Sequence, residues 1–140
     1  MLSLTPFVEM NGKAREAIDF YSQALGAEVA YKVMLEDTPA KSASPLSPEQ
    51  KDLVSYALLK IGDAEMQISD LVTGNSYETG TQISIVISTN DKEEATRLYE
   101  ALRQDGQVNE PLQESFFSPA YGIVTDRFGI MFRILTKGGQ

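Results

Sequence analysis

Glu114, Tyr56, Tyr121 and Arg133 are the side chains whose types could carry chemistry, and the residue types this chain lacks limit what that chemistry is. It has no His and no Cys. That removes the imidazole general base and the thiolate nucleophile, and with them any disulfide. No Gly-x-Ser-x-Gly elbow accompanies a serine, so serine nucleophilic catalysis has no activating context. No Gly-rich phosphate loop of either common type occurs. Glu114 is then the best carboxylate for proton transfer, although a solvated loop position is the commoner role for such a Glu. Tyr56 and Tyr121 offer hydroxyls to a ligand but have no neighbouring base to make them catalytic. Phe116 and Phe117 read as core or dimer packing, with Phe117 also a candidate ligand contact. Glu93 and Glu94 read as charge at a helix N-terminus rather than as a catalytic dyad.

Length and composition narrow the class. A chain of 140 residues with 42% apolar content fits one compact domain, or two half-domains sharing a core. A net charge of −8 argues against nucleic acid and anionic membranes as partners, because both need a Lys/Arg excess. No apolar run approaches the ~20 residues that span a bilayer. The N-terminal MLSLTPFVEM lacks a basic region and a long apolar stretch, so it does not read as a signal peptide. The expected location is cytoplasmic.

The elements that must position these residues follow from periodicity. Leu4–Met10 reads as a strand, with Pro6 marking an edge or an irregular start. Ala14, Ala17, Ile18, Tyr21, Ala24 and Leu25 recur at helical spacing over Lys13–Leu25, and Gly26 is placed to end that helix. Glu28–Leu35 reads as a strand. Asp37–Asp52 is polar, contains Pro39, Pro45 and Pro48, and reads as a mobile loop. Val54–Ile61 and Glu65–Ser69 read as strands joined at Gly62-Asp63. After a linker over Asp70–Gly80 the plan recurs. Ile83, Ile85 and Ile87 alternate with Ser84, Val86 and Ser88 in a half-buried strand. Asn90 or Asp91 caps a helix striped by Ala95, Leu98, Tyr99 and Leu102, which Gly106 closes. Further strands are expected near Phe116–Phe117, Tyr121–Thr125 and Ile130–Leu135, with a turn at Asp126–Gly129.

The recurrence is a repeat. An offset of 78 residues places Ala17 on Ala95, Tyr21 on Tyr99 and Phe7-Val8 on Ile85-Val86. An offset of 66 places Met66-Gln67-Ile68 on Phe132-Arg133-Ile134. NGKAREAIDFYSQALGAEV, YALLKIGDAEMQISD and PLQESFFSPAYGIVTDRFGIMFRI, the last the most specific, together resemble the PhnB-like branch of the vicinal-oxygen-chelate (glyoxalase/bleomycin-resistance/dioxygenase) superfamily. The resemblance implies an α+β fold of two βαβββ modules, residues 1–72 and 80–138, in one domain over 1–140. Their curved mixed sheets would enclose a cavity, and such proteins commonly form homodimers.

The same resemblance places metal ligands on the first and last strands of each module. Here those positions are Pro6, Gln67, Ser84 and Arg133, and the repeat pairs Pro6 with Ser84 and Gln67 with Arg133. Pro6 has no side-chain donor, Gln67 and Ser84 offer neutral oxygens, and Arg133 is a fixed cation. Transition metals want imidazole or thiolate, and hard cations want carboxylates. No metal and no cofactor are therefore expected. Members of this branch often carry the label demethylubiquinone methyltransferase, but methyl transfer from S-adenosylmethionine needs a cofactor site, usually a Gly-rich loop between strand and helix, and none is visible. By strand alternation Ser84, Val86, Ser88, Met131 and Arg133 face the concavity. Arg133 there needs a carboxylate, from Glu65, Glu114 or a partner subunit, or an anionic ligand.

The expected function is metal-independent binding of a small organic molecule, with Tyr56, Gln67, Ser84, Phe117, Met131 and Arg133 as candidate contacts. One alternative is an enzyme using Glu114, Tyr121 and Arg133 without metal. Another is a dimeric protein with a closed cavity. One outcome follows from composition and mapping alone: purified protein should hold no stoichiometric Zn, Ni, Fe or Mn by elemental analysis. About one such ion per chain surviving dialysis would overturn it.

Overall fold

The computed structural model describes residues 2–38, 48–70, 78 and 80–137. Most of the expected 37–52 loop and of the 70–80 linker lies outside these residues. The chain divides into two compact units, Met1–Tyr77 and Glu78–Gln140.

In the first unit β1 (Phe7–Met10) leads into α1 (Ala14–Leu25) and β2 (Glu28–Met34). A 3₁₀ turn at Leu35–Asp37 and a short helix α2 (Pro48–Lys51) flank the undescribed stretch, and β3 (Val54–Ile61) and β4 (Ala64–Asp70) follow. Pro48–Lys51 is thus helical where the prolines predict loop. The sheet order is β1-β4-β3-β2, with β1 parallel to β4 and the other pairs antiparallel. Ala14, Ala17, Ile18, Tyr21, Ala24 and Leu25 form the buried stripe of α1, and Gly26 ends the helix in the left-handed region at φ 69°. Lys13, at the N-cap, provides no side-chain cap. The acceptor comes from the sheet instead. Asp70, at the end of β4 and only 2% exposed, receives the Ala14 N–H on one oxygen and the Val54 N–H on the other, each at 2.9 Å. One carboxylate thereby joins the positive end of α1 to β3 and β4.

The second unit contains β5 (Ile85–Thr89), α3 (Lys92–Leu102), β6 (Gln107–Ser115), β7 (Ser118–Thr125) and β8 (Met131–Thr136). Its order, β5-β8-β7-β6, repeats the first sheet, with β5 parallel to β8. Among the described residues each unit is a βαβββ module with one four-stranded mixed sheet that does not close on itself, an α+β fold. Phe132, Ile134 and Val124 are fully buried, as is Leu102 of α3. Each such side chain contributes about 1.5–3 kcal/mol through burial.

Three expectations are corrected here. Phe116 and Phe117 lie in the turn between β6 and β7, and the strand expected there is the upstream segment Gln107–Ser115. QVNEPLQES shows little apolar alternation because β6 is an edge strand whose residues are mostly exposed, and an edge tolerates Pro111. Ile83 precedes β5 and is 81% exposed rather than core. The repeat offset also differs between elements. The α1 and α3 stripes superpose at 78 residues, but Val8 pairs with Ile68 where Ile87 pairs with Ile134, so the first strands superpose at 79. The link from β5 to α3 is one residue shorter than that from β1 to α1.

The shorter link changes the cap. Asp91 caps α3 locally, receiving the Glu93 N–H at 3.0 Å. Thr136 stands where Asp70 stands in the first unit, since Met10 pairs with Asp70 and Thr89 with Thr136. Its hydroxyl is buried with no hydrogen-bond partner among the described residues. Substitutions at these matched positions should therefore have opposite signs. Asp70→Ala leaves two backbone N–H groups without their acceptor and should cost about 2–5 kcal/mol. Thr136→Val removes an unsatisfied hydroxyl and should leave stability unchanged or raise it by up to ~1 kcal/mol. Denaturant melts of both variants check the pair; equal losses would refute this account of the caps.

Candidate functional site

Strand alternation divides the second sheet into a face covered by α3 and a face turned away from it. Phe132, Ile134 and Thr136 of β8 are buried on the α3 side, so Met131, Arg133 and Leu135 lie on the other. Tyr121, Ile123 and Thr125 of β7 share that second face. So do Val86 and Ser88 of β5, with Ser84 just before the strand. The β7–β8 register is set by a turn built on Asp126. Its carboxylate receives the N–H groups of Phe128 at 2.9 Å and Ile130 at 3.0 Å, and Gly129 takes φ 89°. This fixes Ile123 opposite Arg133 on one side, while Val86 stands opposite on the other.

Arg133 is the centre of this face. Its Nε donates to Ser84 Oγ at 2.9 Å, and its Nη1 donates to Tyr121 Oη at 2.6 Å. The Phe117 ring packs edge-to-face on Tyr121 at 4.9 Å between centroids, and Phe116 packs on Phe117 at 5.3 Å. Among the described residues of this unit no carboxylate forms an ion pair with Arg133. The expected ion pair with Glu114 is not formed. Glu114 is exposed on β6 and lines a cleft of about 260 Å³ on the α3 side, with Lys92, Thr96, Glu100 and Pro119 among its neighbours. The structure therefore brings Ser84, Tyr121, Arg133 and Phe117 together, keeps Met131 on the same face, and puts Glu114 elsewhere. Phe116 is fully exposed and Phe117 half exposed, so neither serves as core within this chain.

The first unit has a matching face with different chemistry. Gln67 lies opposite the buried Met66, Ile68 and Asp70, and pairs with Phe7 on β1 and Leu58 on β3. Ala57 pairs with Ile68 as Gly122 pairs with Ile134, which makes Tyr56 the counterpart of Tyr121. Tyr56 packs against Tyr31 at 6.1 Å. The 79-residue strand offset makes Thr5, not Pro6, the counterpart of Ser84. Pro6 contributes its carbonyl, which accepts the Gln67 N–H at 2.9 Å. Each unit thus carries a hydroxyl, a tyrosine and a long polar side chain at corresponding positions: Thr5, Tyr56 and Gln67 in one, Ser84, Tyr121 and Arg133 in the other. Thr5 and the equivalence of the two tyrosines escape a reading that sets the first strands and helices at 78 and the last strands at 66, because the first strands lie at 79 and the tyrosines at 65. The helix starts, Lys13 and Asp91, keep the 78-residue offset and give no sign of this.

A family model of the Glyoxalase/Bleomycin resistance protein/Dioxygenase superfamily matches residues 7–134. The chain belongs to that superfamily. Protein YjdN of Escherichia coli strain K12 is 28% identical to it over 141 residues, covering 95% of this chain and 94% of YjdN. The structure of protein PA1353 from Pseudomonas aeruginosa is similar at a TM-score of 0.87 and 31% identity, over 98% of both chains. A Bacillus cereus PhnB protein, described as a putative 3-demethylubiquinone-9 3-methyltransferase, shares the fold at a TM-score of 0.80 and 21% identity, over 96% of this chain and 99% of its own. These similarities support the PhnB-like branch, and membership of the superfamily supports small-molecule binding in general. No helix of the described residues is long and apolar enough to cross a membrane.

Proposed function

We propose that this protein binds a small organic molecule without a metal, on the sheet faces turned away from the helices, with Arg133 as its principal polar anchor. The observation that carries the reading is a guanidinium held by two neutral hydroxyls and by no carboxylate of its own unit. An arginine cannot discharge at any ordinary pH, so its remaining donors are available to a ligand.

The superfamily's metal does not fit this donor set. Ser84 Oγ already accepts from Arg133, and Arg133 itself offers only N–H donors and a positive charge. At the corresponding positions of the first unit, Thr5 and Gln67 offer only neutral oxygens, which suit neither a transition metal nor a hard divalent cation without carboxylates. Among the described residues no group of three or more His, Cys, Asp or Glu could hold a metal ion. The enzyme alternative is weakened because Glu114, its proton-transfer group, stands on the α3 side and away from Tyr121 and Arg133.

The homodimer belongs to the same proposal. Tyr31 at 57% and Phe116 at 101% exposure leave apolar surface that a second copy would cover. A two-fold interface of at least about 1,000 Å² is expected, and a monomer by light scattering at micromolar concentration would count against it.

A thermal-shift screen of small organic compounds, run on wild type and Arg133→Ala, tests the function. Hits should stabilise wild type and lose that effect in the variant. The free variant should lose only about 1–2 kcal/mol, because the groups left behind are hydroxyls rather than a buried carboxylate. A loss of ~3–5 kcal/mol in the free protein would instead mark Arg133 as half of a structural ion pair. A screen in which nothing stabilises wild type would favour the closed-cavity alternative.

A further inference from the structure

We infer that the ligand is an aromatic organic anion, its carboxylate, sulfonate or phosphonate head on Arg133, and that the chain takes one such head because only the second unit can. This rests on the small-molecule reading above and adds the charge, the body and the stoichiometry.

The charge follows from the donors. A guanidinium carries five N–H groups in a plane. One on Nε goes to Ser84 and one on Nη1 goes to Tyr121, which leaves one on Nη1 and two on Nη2. Two hydrogen bonds on different nitrogens also fix the orientation of the plane. The fork is therefore organised before a ligand arrives, and less rotamer freedom is lost on binding. An anionic head matches such a fork, and charge-assisted hydrogen bonds are about twice as strong as neutral ones. A neutral head would leave the cation unmatched.

The body follows from the surroundings. Val86 and Ile123 stand on either side of Arg133, Met131 lies on the same face, and Tyr121, which accepts from Arg133, carries Phe117 against its ring. Phe117 and Val86 are each about half exposed, so apolar contact area remains to be buried. A flat aromatic body suits it, because ring-to-ring contacts add to simple area burial. The chain's −8 charge repels an anion at long range, so the preference must come from this local pairing.

The stoichiometry follows from the repeat. The corresponding face of the first unit has Gln67 where the second has Arg133. With Thr5 and Tyr56 it keeps the neutral partners and lacks a cation at that position. It can hydrogen-bond a neutral group, but the cation on that face, Lys60, stands level with Glu28 and Glu65 on the neighbouring strands and so offers an anion no net charge.

Two probes with the same anilinonaphthalene body separate these terms: 1-anilinonaphthalene-8-sulfonate and its neutral analogue N-phenyl-1-naphthylamine. Both are titrated by fluorescence and calorimetry against the full chain and against Arg133→Gln, which installs the residue the first unit already has at this position. The sulfonate should bind at one per chain and at least ~10-fold more tightly than the neutral probe. Arg133→Gln should abolish that preference and change the neutral probe's affinity less than about twofold. Equal wild-type affinities for the two probes would overturn the anion inference and leave the small-molecule reading standing. Two sulfonates per chain, with one surviving Arg133→Gln, would overturn the assignment to the second unit alone. Binding of neither probe would overturn both readings. Should Arg133→Gln fail to give a cooperative melt, the wild-type ratio decides, and a preference below about threefold refutes the proposal.

Discussion

An arginine on a central strand carries a charge that cannot be titrated away, so the structure around it must supply acceptors or leave a place for them. β8 is such a strand, with β5 hydrogen-bonded on one side and β7 on the other. The parallel register of β5 on β8 sets Val86 beside Arg133 and so brings Ser84, two residues earlier on the same face, to its Nε. The antiparallel register of β7, fixed by the Asp126 turn, brings Tyr121 to its Nη1. A slip of one residue in either strand would turn its partner side chain to the α3 side. The charge is thus held by geometry that the core itself enforces, through Phe132, Ile134 and Val124 on the opposite face.

The two units show how one scaffold holds different chemistry. Both need an acceptor at the N-terminus of their helix. The first supplies it from the sheet through Asp70, and the second supplies it locally through Asp91, with one residue fewer in the link. Thr136 is left as a buried hydroxyl with no partner among the described residues, which marks where the first unit's device has no counterpart. On the opposite faces the hydroxyl and the tyrosine recur while Gln67 and Arg133 differ. The folding requirement and the polar groups of the proposed binding face lie on opposite sides of the same strands, so one can change without disturbing the other.

Much of this was legible in residue order. Helical periodicity located α1 and the start of α3 to within a residue, but α3 ends at Leu102 with its cap at Arg103 rather than at the expected Gly106; Gly62-Asp63 and Asp126–Gly129 marked turns that the structure contains. The faces of β8 followed from alternation, and Arg133 stands where alternation puts it. β6 was not legible, because an exposed edge strand has no core face to impose a pattern, and its Pro111 reads as a strand breaker. The Pro6 assignment failed because one offset was applied to helices and strands whose connecting link differs by a residue. The partners of Arg133 were not legible either. Charge complementarity suggests a carboxylate, while Ser84 and Tyr121 are distant in sequence and neutral, and only the strand registers bring them together.

The central claim, that Arg133 is held by hydroxyls and by no carboxylate among the described residues of its unit, is open to direct observation in the ligand-free protein. The side-chain nitrogen resonances of Arg133, assigned by comparison with Arg133→Gln, can be followed by NMR as pH falls from about 7 to about 3, through the ordinary Asp and Glu range. The account predicts that its Nε and Nη signals stay in place while the fold persists, because neither of its partners is a carboxylate. A shift of those signals with a single midpoint in the carboxylate range would reveal an acidic partner, from this chain or a second copy, and would contradict it.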